Sequence, residues 1–380
     1  MSGVIALAGY ALALLAAVGC VYLIASTALA VVFLSRRLPD GAITPAVTLL
    51  KPLHGAYPGM GAVLEAYCDQ DYPAAVQILF GVQDAADPAI AVVQALQARR
   101  PQADIALVID PTEHGANRKI SNVINIAACA RHAVLVMSDA DIAVPRDYLR
   151  QVTTALTGHG VGVATCLYVG RDDGRLWPSL GAMAVSYGFL PNAILGRALG
   201  LAQPCLGSTI AFTADTLAAM GGFTAFADHL ADDYEIGRAA RKLGLSIAIP
   251  PMVLGHLGFE AGVGELISHE LRWGRTVLQI DRAGYAGSVI TYPLPFALIA
   301  AALLGVSPLA VGLILTVLGV RIACKFAMDA ATGASAGRWW MIPARDVLSL
   351  GVFFASFTVN TVGWQGRRFR VGRDGVLTQS

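Results

Sequence analysis

Hydrophobic positions along this 380-residue chain fall into three regimes. The first, Gly3 to Leu34, carries no charged residue and ends in Ser35-Arg36-Arg37. A bilayer span needs about 20 apolar residues, so this run predicts a membrane helix. A cleaved leader would start with basic residues and have a shorter apolar core of about 7–15 residues. Residues 1–35 therefore read as a retained anchor. Arg36 and Arg37 place its C-terminal end, and the chain that follows, in the cytoplasm. The second apolar regime, Ala283 to Val320, has no Asp, Glu, Lys or Arg. As one straight helix it would be about 57 Å long, nearly twice a hydrocarbon core of about 30 Å. Gly305-Val306-Ser307-Pro308 is the expected turn. Two spans are expected near 288–304 and 308–327, and a third near 345–364, giving a membrane region 286–366 and a basic tail 367–380. The charges then conflict. Lys325, Arg338 and Arg345 mark one side of the last span as cytoplasmic, and Arg367, Arg368, Arg370 and Arg373 mark the other side likewise. One span cannot separate two cytoplasmic segments, so a re-entrant or interfacial last segment is one way out.

The third regime, residues 44–285, alternates short apolar runs with helical patterns. Strands are expected at Val47–Leu50, Val76–Val82, Ile105–Ile109 and Ala133–Met137, with helices at Met60–Tyr67, Pro88–Arg99 and Ile120–Ala130 between them. Strands alternating with helices predict an α/β domain around a mostly parallel, doubly wound sheet. In such sheets ligands bind beyond the carboxyl ends of the strands. Asp84 and the pair Asp139/Asp141 fall there. Val185 to Leu206 has Arg197 as its only charge and reads as an interfacial helix pair broken at Pro191, or else as a buried core helix.

Composition sharpens this picture. Charged residues make up 14% of the chain, against roughly 25% in soluble domains, so part of the surface faces lipid. The net charge of +1 gives no reason to expect nucleic acid as a partner. Six cysteines are scattered without metal spacing and read as reduced.

The candidate chemistry lies in five places. Asp139-Ala140-Asp141 leaves the fourth strand. Two carboxylates there can hold Mg²⁺ or Mn²⁺ against a diphosphate. Asp84 suits hydrogen bonds to a base or ribose, and equally suits a turn. Asn117, Arg118 and Lys119 open a helix, where backbone N–H groups and a lysine favour phosphate; an ordinary capped helix is the plain alternative. Asp233, beside Asp232, suits a general base that takes a proton from an attacking hydroxyl; a helix start rich in acid is equally ordinary. His269-Glu270-Leu271-Arg272-Trp273 offers Arg272 to a diphosphate and Trp273 as a stacking wall near an acceptor, unless it is simply an interfacial helix. His256 and His269 are further candidates near an acceptor.

Order makes these motifs specific. Asp84, then Asp139/Asp141, then Asp233, then Arg272-Trp273 resembles the D, DxD, D, (Q/R)xxRW series of GT-A glycosyltransferases of the processive type. The framing text VTLLKPLHGAYP (47–58), DQDYP (69–73), NRKISN (117–122) and ADDY (231–234) resembles the ceramide glucosyltransferases of glycosyltransferase family 21 over nearly the whole chain. That resemblance implies a UDP-sugar donor, a divalent cation, a lipid acceptor and inversion to a β-glycoside. It implies Asp84 and Lys119 as nucleotide contacts, Asp139 and Asp141 as the metal and diphosphate region, Asp233 as the base, and Arg272 and Trp273 as the terminal motif. His269 departs from the family's Gln or Arg. A hopanoid-pathway branch that transfers N-acetylglucosamine shares these motifs, and an Ala- and Gly-rich chain suits a high-GC bacterium. The expectation is an integral, multi-pass protein of a bacterial inner membrane with a cytoplasmic catalytic domain. A processive polysaccharide synthase, a non-catalytic scaffold and a transporter are the rival readings.

Overall fold

The computed structural model describes residues 2–38, 43–358, 361–364, 367–371 and 377–379. Part of the expected basic tail, including Arg373, lies outside the described residues. In chain order the elements begin with α1 (Ser2–Leu34), β1 (Val47–Pro52), α2 (Met60–Glu65), β2 (Val76–Val82), α3 (Ala89–Arg99), β3 (Asp104–Ile109) and α4 (Arg118–Ala127). Then come β4 (Val134–Met137), β5 (Ile142–Ala143), α5 (Tyr148–Leu156), β6 (Val161–Thr165), β7 (Leu167–Arg171), α6 (Leu176–Ala184) and α7 (Leu190–Ala198). Next are β8 (Ile210–Thr213), α8 (Ala214–Ala219), α9 (Asp232–Lys242), β9 (Ser246–Ala248), β10 (Val253–Leu257), α10 (Val263–Ile280) and α11 (Arg282–Gly287). The chain closes with α12 (Pro293–Leu304), α13 (Pro308–Thr332), α14 (Ile342–Ala355), β11 (Thr361–Trp364) and β12 (Arg367–Val371). They form two compact units. A sheet unit comprises Arg36–Tyr168, Gln203–Phe259 and Gly375–Ser380, and a helical unit comprises Met1–Ser35, Val169–Ala202 and Glu260–Asp374. The single block expected at 44–285 is thus interrupted: the apolar helices of Val169–Ala202, and α10, pack with other helices instead.

In the sheet unit seven strands run in the order β3-β2-β1-β4-β8-β6-β9. β1 is parallel to β2 and β4, β2 is parallel to β3, and β8 is antiparallel to both β4 and β6. Successive side chains on a strand point to opposite faces, and this sheet buries both. Leu49, Ile78, Phe80 and Val136 join one core with Met60, Val93 and Leu149 of α2, α3 and α5. Leu50, Leu79, Leu135 and Met137 join the other with Ile120 of α4, Leu217 of α8 and Ile236 of α9. This doubly wound arrangement matches the expectation from the sequence. Its three central parallel strands deliver Lys51, Asp84 and Asp139 to one edge of the sheet. β5 follows the acidic turn and pairs antiparallel with β10, His256 opposite Ile142.

In the helical unit, α1 and α13 are long and apolar enough to cross a bilayer, and the bent pair formed by Arg282–Thr291 and Pro293–Leu304 is a further candidate. α1 packs on α12 and α13. Small residues permit the approach: a Cβ at Gly9 would lie 2.6 Å from Leu304, and one at Gly19 would lie 2.5 Å from the Ile290 carbonyl. Two expectations fail here. Among the described residues no single helix covers the third span expected near 345–364: α14 has 14 residues, about 21 Å at 1.5 Å per residue, and a strand follows at Thr361–Trp364. Arg345 and Asp346 are spent on partners in its first turns instead of ending a span. Nor does Pro191 break the helix. Leu176 to Ala198 runs continuously through a π-helical stretch, Val185–Phe189, and Pro191 follows directly after it, where the widened turn accommodates a residue without an N–H.

Two buried arginines of this unit are paired with carboxylates. Arg321 on α13 binds Asp346 of α14, Nε to Oδ2 at 2.8 Å. Arg345, 2% exposed, grips both Glu270 oxygens at 2.5 and 2.7 Å and also donates to the Leu180 carbonyl at 3.2 Å. It ties α14 to α10 and α6. Removing one partner of such a pair strands the other charge, at about 3–5 kcal/mol. Arg345→Met should therefore lower the thermal midpoint in detergent sharply, and Arg345→Met combined with Glu270→Leu should recover most of the loss. Thermal unfolding of the two variants checks this.

Candidate active site

The site is built where β1, β4 and the starts of α4 and α9 meet. α4 begins at Arg118 because Asn117 caps it, its Oδ1 accepting the Ile120 N–H at 3.0 Å. That fixes Lys119 in the first turn. Its ammonium lies 2.8 Å from Asp139 Oδ1 and 3.1 Å from Asp232 Oδ2. Lys119 thus bridges the acidic turn after β4 to the acidic start of α9. Asp233 is held by two backbone groups: Gly207 N–H donates to Oδ2 at 3.0 Å and Tyr234 N–H to Oδ1 at 2.7 Å. A methyl group built on Gly207 would lie 3.0 Å from Asp139 Oδ2, 3.3 Å from Lys119 Nζ and 3.7 Å from Asp233 Oδ2. Three charged side chains therefore converge on one glycine, whose lack of a side chain leaves them room.

Electrostatics follow from this crowding. Burial first, and the neighbouring Asp232 second, push the Asp233 carboxyl up to about 6. Burial and then Asp141 hold Asp139 above the usual carboxylate range, although Lys119 opposes both. Burial works against the Lys119 ammonium, but Asp139 and then Asp232 more than offset it, so its pKa is raised. For Asp141 burial is again unfavourable, and His256 followed by Lys51 outweighs it and holds the group low. Asp141 Oδ2 faces His256 Nε2 at 3.5 Å. Its Oδ1 is buried and makes no hydrogen bond among the described residues. An orphaned carboxylate oxygen beside an imidazole and a second carboxylate suits a divalent cation, with Asp139, Asp141 and His256 as the donor set. Among the described residues no three such groups are yet drawn together at coordinating spacing.

The remaining expected residues stand as follows. Asp232 is buried and belongs to the cluster. His256, expected near an acceptor, lies beside Asp141 instead, because β10 pairs with the strand that leaves the acidic turn. Asn117 is fully buried, and its amide donates to the His229 carbonyl at 2.8 Å and to Asp232 Oδ1 at 3.2 Å. Those bonds fasten α4 to α9 and leave no amide proton for a ligand. Asp84 is exposed just past β2 and accepts the Ala86 N–H at 2.8 Å, an Asx turn. His269, Arg272 and Trp273 lie on α10 of the helical unit. There His269 Nδ1 bonds Glu260 at 2.7 Å, and the His269 and Trp273 rings meet edge-on at 4.5 Å. Two residues that sequence reasoning missed are Gly207 and Lys51. Gly207 carried no pattern. Lys51 did carry one: a lysine inside an apolar strand, 0% exposed, is costly unless something needs its charge.

Comparison with known proteins identifies the family and the fold. The profile described as glycosyl transferase family 21 matches residues 11–377. Ceramide glucosyltransferase 1 of Caenorhabditis elegans is 24% identical over 212 residues, 56% of this chain and 45% of its own length. The ceramide glucosyltransferase of Candida albicans is 28% identical over 131 residues, 32% of this chain and 24% of its own. The chain thus spans half or less of the length of these relatives. Among solved structures, the mannosyltransferase PcManGT from Pyrobaculum calidifontis, in complex with GDP-Man and Mn²⁺, superposes with a TM-score of 0.56 at 18% identity, covering 94% of this chain and 99% of that one. The shared fold is the GT-A glycosyltransferase fold.

Lys119 is the only cation bonded to both Asp139 and Asp232 among the described residues. Lys119→Met should cost up to about 3–5 kcal/mol at pH 8 by stranding those carboxylates. Groups whose folded pKa is raised take up protons as pH falls, which relieves the stranded charge. Lys119 holds both Asp139 and Asp233 down, so without it both take up protons at higher pH, and the deficit should shrink between pH 8 and pH 5. Thermal unfolding of wild type and variant at both pH values measures it.

Proposed function

The chain belongs to glycosyl transferase family 21, and from that premise we propose that it moves one sugar from a UDP-sugar onto a hydroxyl of a membrane lipid, inverting the anomeric centre, as a ceramide glucosyltransferase-like enzyme. The observation that carries the reading is the convergence of Asp139, Lys119 and Asp233 on Gly207. It sets a phosphate-seeking cation and a tunable base within one small space, beyond the ends of the parallel strands.

Each group then has a task. Lys119 offers a point charge to the diphosphate, in a place already flanked by carboxylates. Asp139, Asp141 and His256 would hold the divalent cation, which when bound offsets charge on the departing nucleotide diphosphate. Asp233 is ionised at neutral pH, and the Gly207 and Tyr234 N–H groups fix its orientation. It accepts the proton from the acceptor hydroxyl as that oxygen attacks the anomeric carbon. One base and one held leaving group support a single displacement, which inverts configuration. The acceptor is a lipid because the same chain carries two helices fit to cross a bilayer, and each methylene drawn from lipid into water costs about 0.8 kcal/mol. Arg36-Arg37 after α1 supports a cytoplasmic sheet unit. Mg²⁺ and Mn²⁺ both suit the donor set. Ceramide is the acceptor favoured by the relatives, and a hopanoid polyol is the alternative.

Asp233→Asn should lower transfer by about 10²–10⁴-fold while UDP still binds, since only the proton acceptor is lost. Transfer assays paired with a UDP-binding titration check it; unchanged transfer would remove Asp233 from the chemistry. The pH profile gives a second handle. The base works ionised, so the rate should rise with pH through about 6. Asp232→Asn removes a charge that raises Asp233, so it should move that limb to lower pH, read from the acid side of the rate profile.

A further inference from the structure

The acidic turn is held by its backbone as well as by its side chains. Four consecutive carbonyls, Asp139 to Ile142, each accept a hydrogen bond from a different part of the sheet unit. Lys51 Nζ donates to Asp139 O at 2.5 Å. Tyr57 OH donates to Ala140 O at 2.8 Å. The Leu257 N–H of β10 donates to Asp141 O at 3.0 Å. Tyr67 OH donates to Ile142 O at 2.9 Å and shares a 2.7 Å bond with Ser138 Oγ. A strand end in a turn normally leaves some carbonyls to water. Here none of the four is left.

The three side-chain donors are themselves fixed. Lys51 is 0% exposed and lies 3.9 Å from the centre of the Tyr67 ring. No carboxylate is hydrogen-bonded to it among the described residues, although Asp139 and Asp141 lie near enough to act on its charge. Its bonds go to the Asp139 carbonyl and to Ser138 Oγ at 3.4 Å, and it lies over the ring face. A strand that needed only packing would carry an apolar residue there. Tyr57 sits in a loop whose Gly55 N–H is gripped by both Asp87 oxygens at 3.1 and 2.9 Å, and its ring lies against Phe259 at 4.1 Å. Tyr67 is fully buried and meets Tyr148 edge-on at 5.8 Å.

We propose that Lys51, Tyr57 and Tyr67 form a collar of positioning residues that occupies the main-chain acceptors of the Asp139–Ile142 turn and so aims the Asp139 and Asp141 carboxylates at the cation and diphosphate. The inference rests on the glycosyltransferase reading for what the carboxylates bind. Main-chain carbonyls are good ligands for hard cations. A turn whose carbonyls each already hold a donor is fixed in direction and presents its two carboxylates, with His256, as the stronger ligands for an arriving cation. The collar touches no substrate and acts through Asp139 and Asp141.

Mn²⁺ binding to the full chain in nanodiscs, with UDP present, followed by electron paramagnetic resonance, tests the collar without needing turnover. Tyr57→Phe and Tyr67→Phe each remove one hydroxyl and keep the ring. Each should weaken Mn²⁺ binding about threefold to tenfold, the worth of one hydrogen bond, and should lower the thermal midpoint modestly. Tyr67→Phe should lower it the more, because it leaves the buried Ile142 carbonyl and Ser138 hydroxyl without that partner. In transfer assays the Mn²⁺ concentration for half-maximal rate should rise by the same factor, while kcat at saturating Mn²⁺ holds. Lys51→Met should have a larger effect, and the Tyr→Phe pair decides the matter if that variant does not fold. Mn²⁺ binding unchanged in both Tyr→Phe variants would overturn the proposal, as would a thermal midpoint that falls with Mn²⁺ binding intact. If wild type binds Mn²⁺ and UDP but glycosylates no lipid, the acceptor reading fails, and the Mn²⁺ titration still judges the collar.

Discussion

The site in the sheet unit answers to one electrostatic demand: Asp139, Asp141 and Asp233, all half-buried, and the buried Asp232 must share a small space. Such a group of like charges is unstable without cations, and the protein supplies Lys119 between two of them; Lys51 behind the acidic turn, its pKa lowered by burial to about 7, adds a weaker counter-charge. Both lysines come from positions the fold makes rigid, a capped helix start and a central strand. The residual repulsion is not removed. It is stored as a raised pKa at Asp233 and an orphaned oxygen at Asp141. A site poised in this way gains from a bound divalent cation, and it holds a carboxylate basic enough to accept a proton near neutral pH.

The helical unit meets a different constraint with the same device. Its charges are buried among apolar helices, where an unpaired ion is costly. Arg321 is matched by Asp346 and Arg345 by Glu270, each through two hydrogen bonds. These pairs set which helices can be neighbours. The close packing of α1 on α12 and the turn before it does the rest through Gly9 and Gly19. α14 stops after 14 residues, about 21 Å at 1.5 Å per residue, which is shorter than a hydrocarbon core of about 30 Å.

Much of the fold was legible because the sheet buries both faces. Runs such as VQILFGV and AVLVM between helical patterns leave few other arrangements. The acidic turn, Lys119 and Asp233 were legible from spacing and from their place at strand and helix ends. What stayed hidden depends on contacts between distant segments. Tyr57 and Tyr67 read as ordinary aromatic residues until the turn they hold lies beside them. Gly207 marks a crossing point that no local pattern encodes. His256 moved from the acceptor to Asp141 because strand pairing, which sequence does not reveal, sets its neighbour. The supposed span at 345–364 failed because apolar composition was taken for helix length, and the helix ends at Ala355.

The central claim is tested most directly by the mass of the lipid product. Purified full-length protein in nanodiscs, given UDP-glucose or UDP-N-acetylglucosamine with ceramide or a hopanoid polyol, should yield one lipid carrying a single added sugar in β linkage. A hexosylceramide is the expected product, and an N-acetylhexosaminyl hopanoid would keep the chemistry while changing the acceptor. Polymeric sugar, an α linkage, or no glycolipid from any pairing would contradict the account.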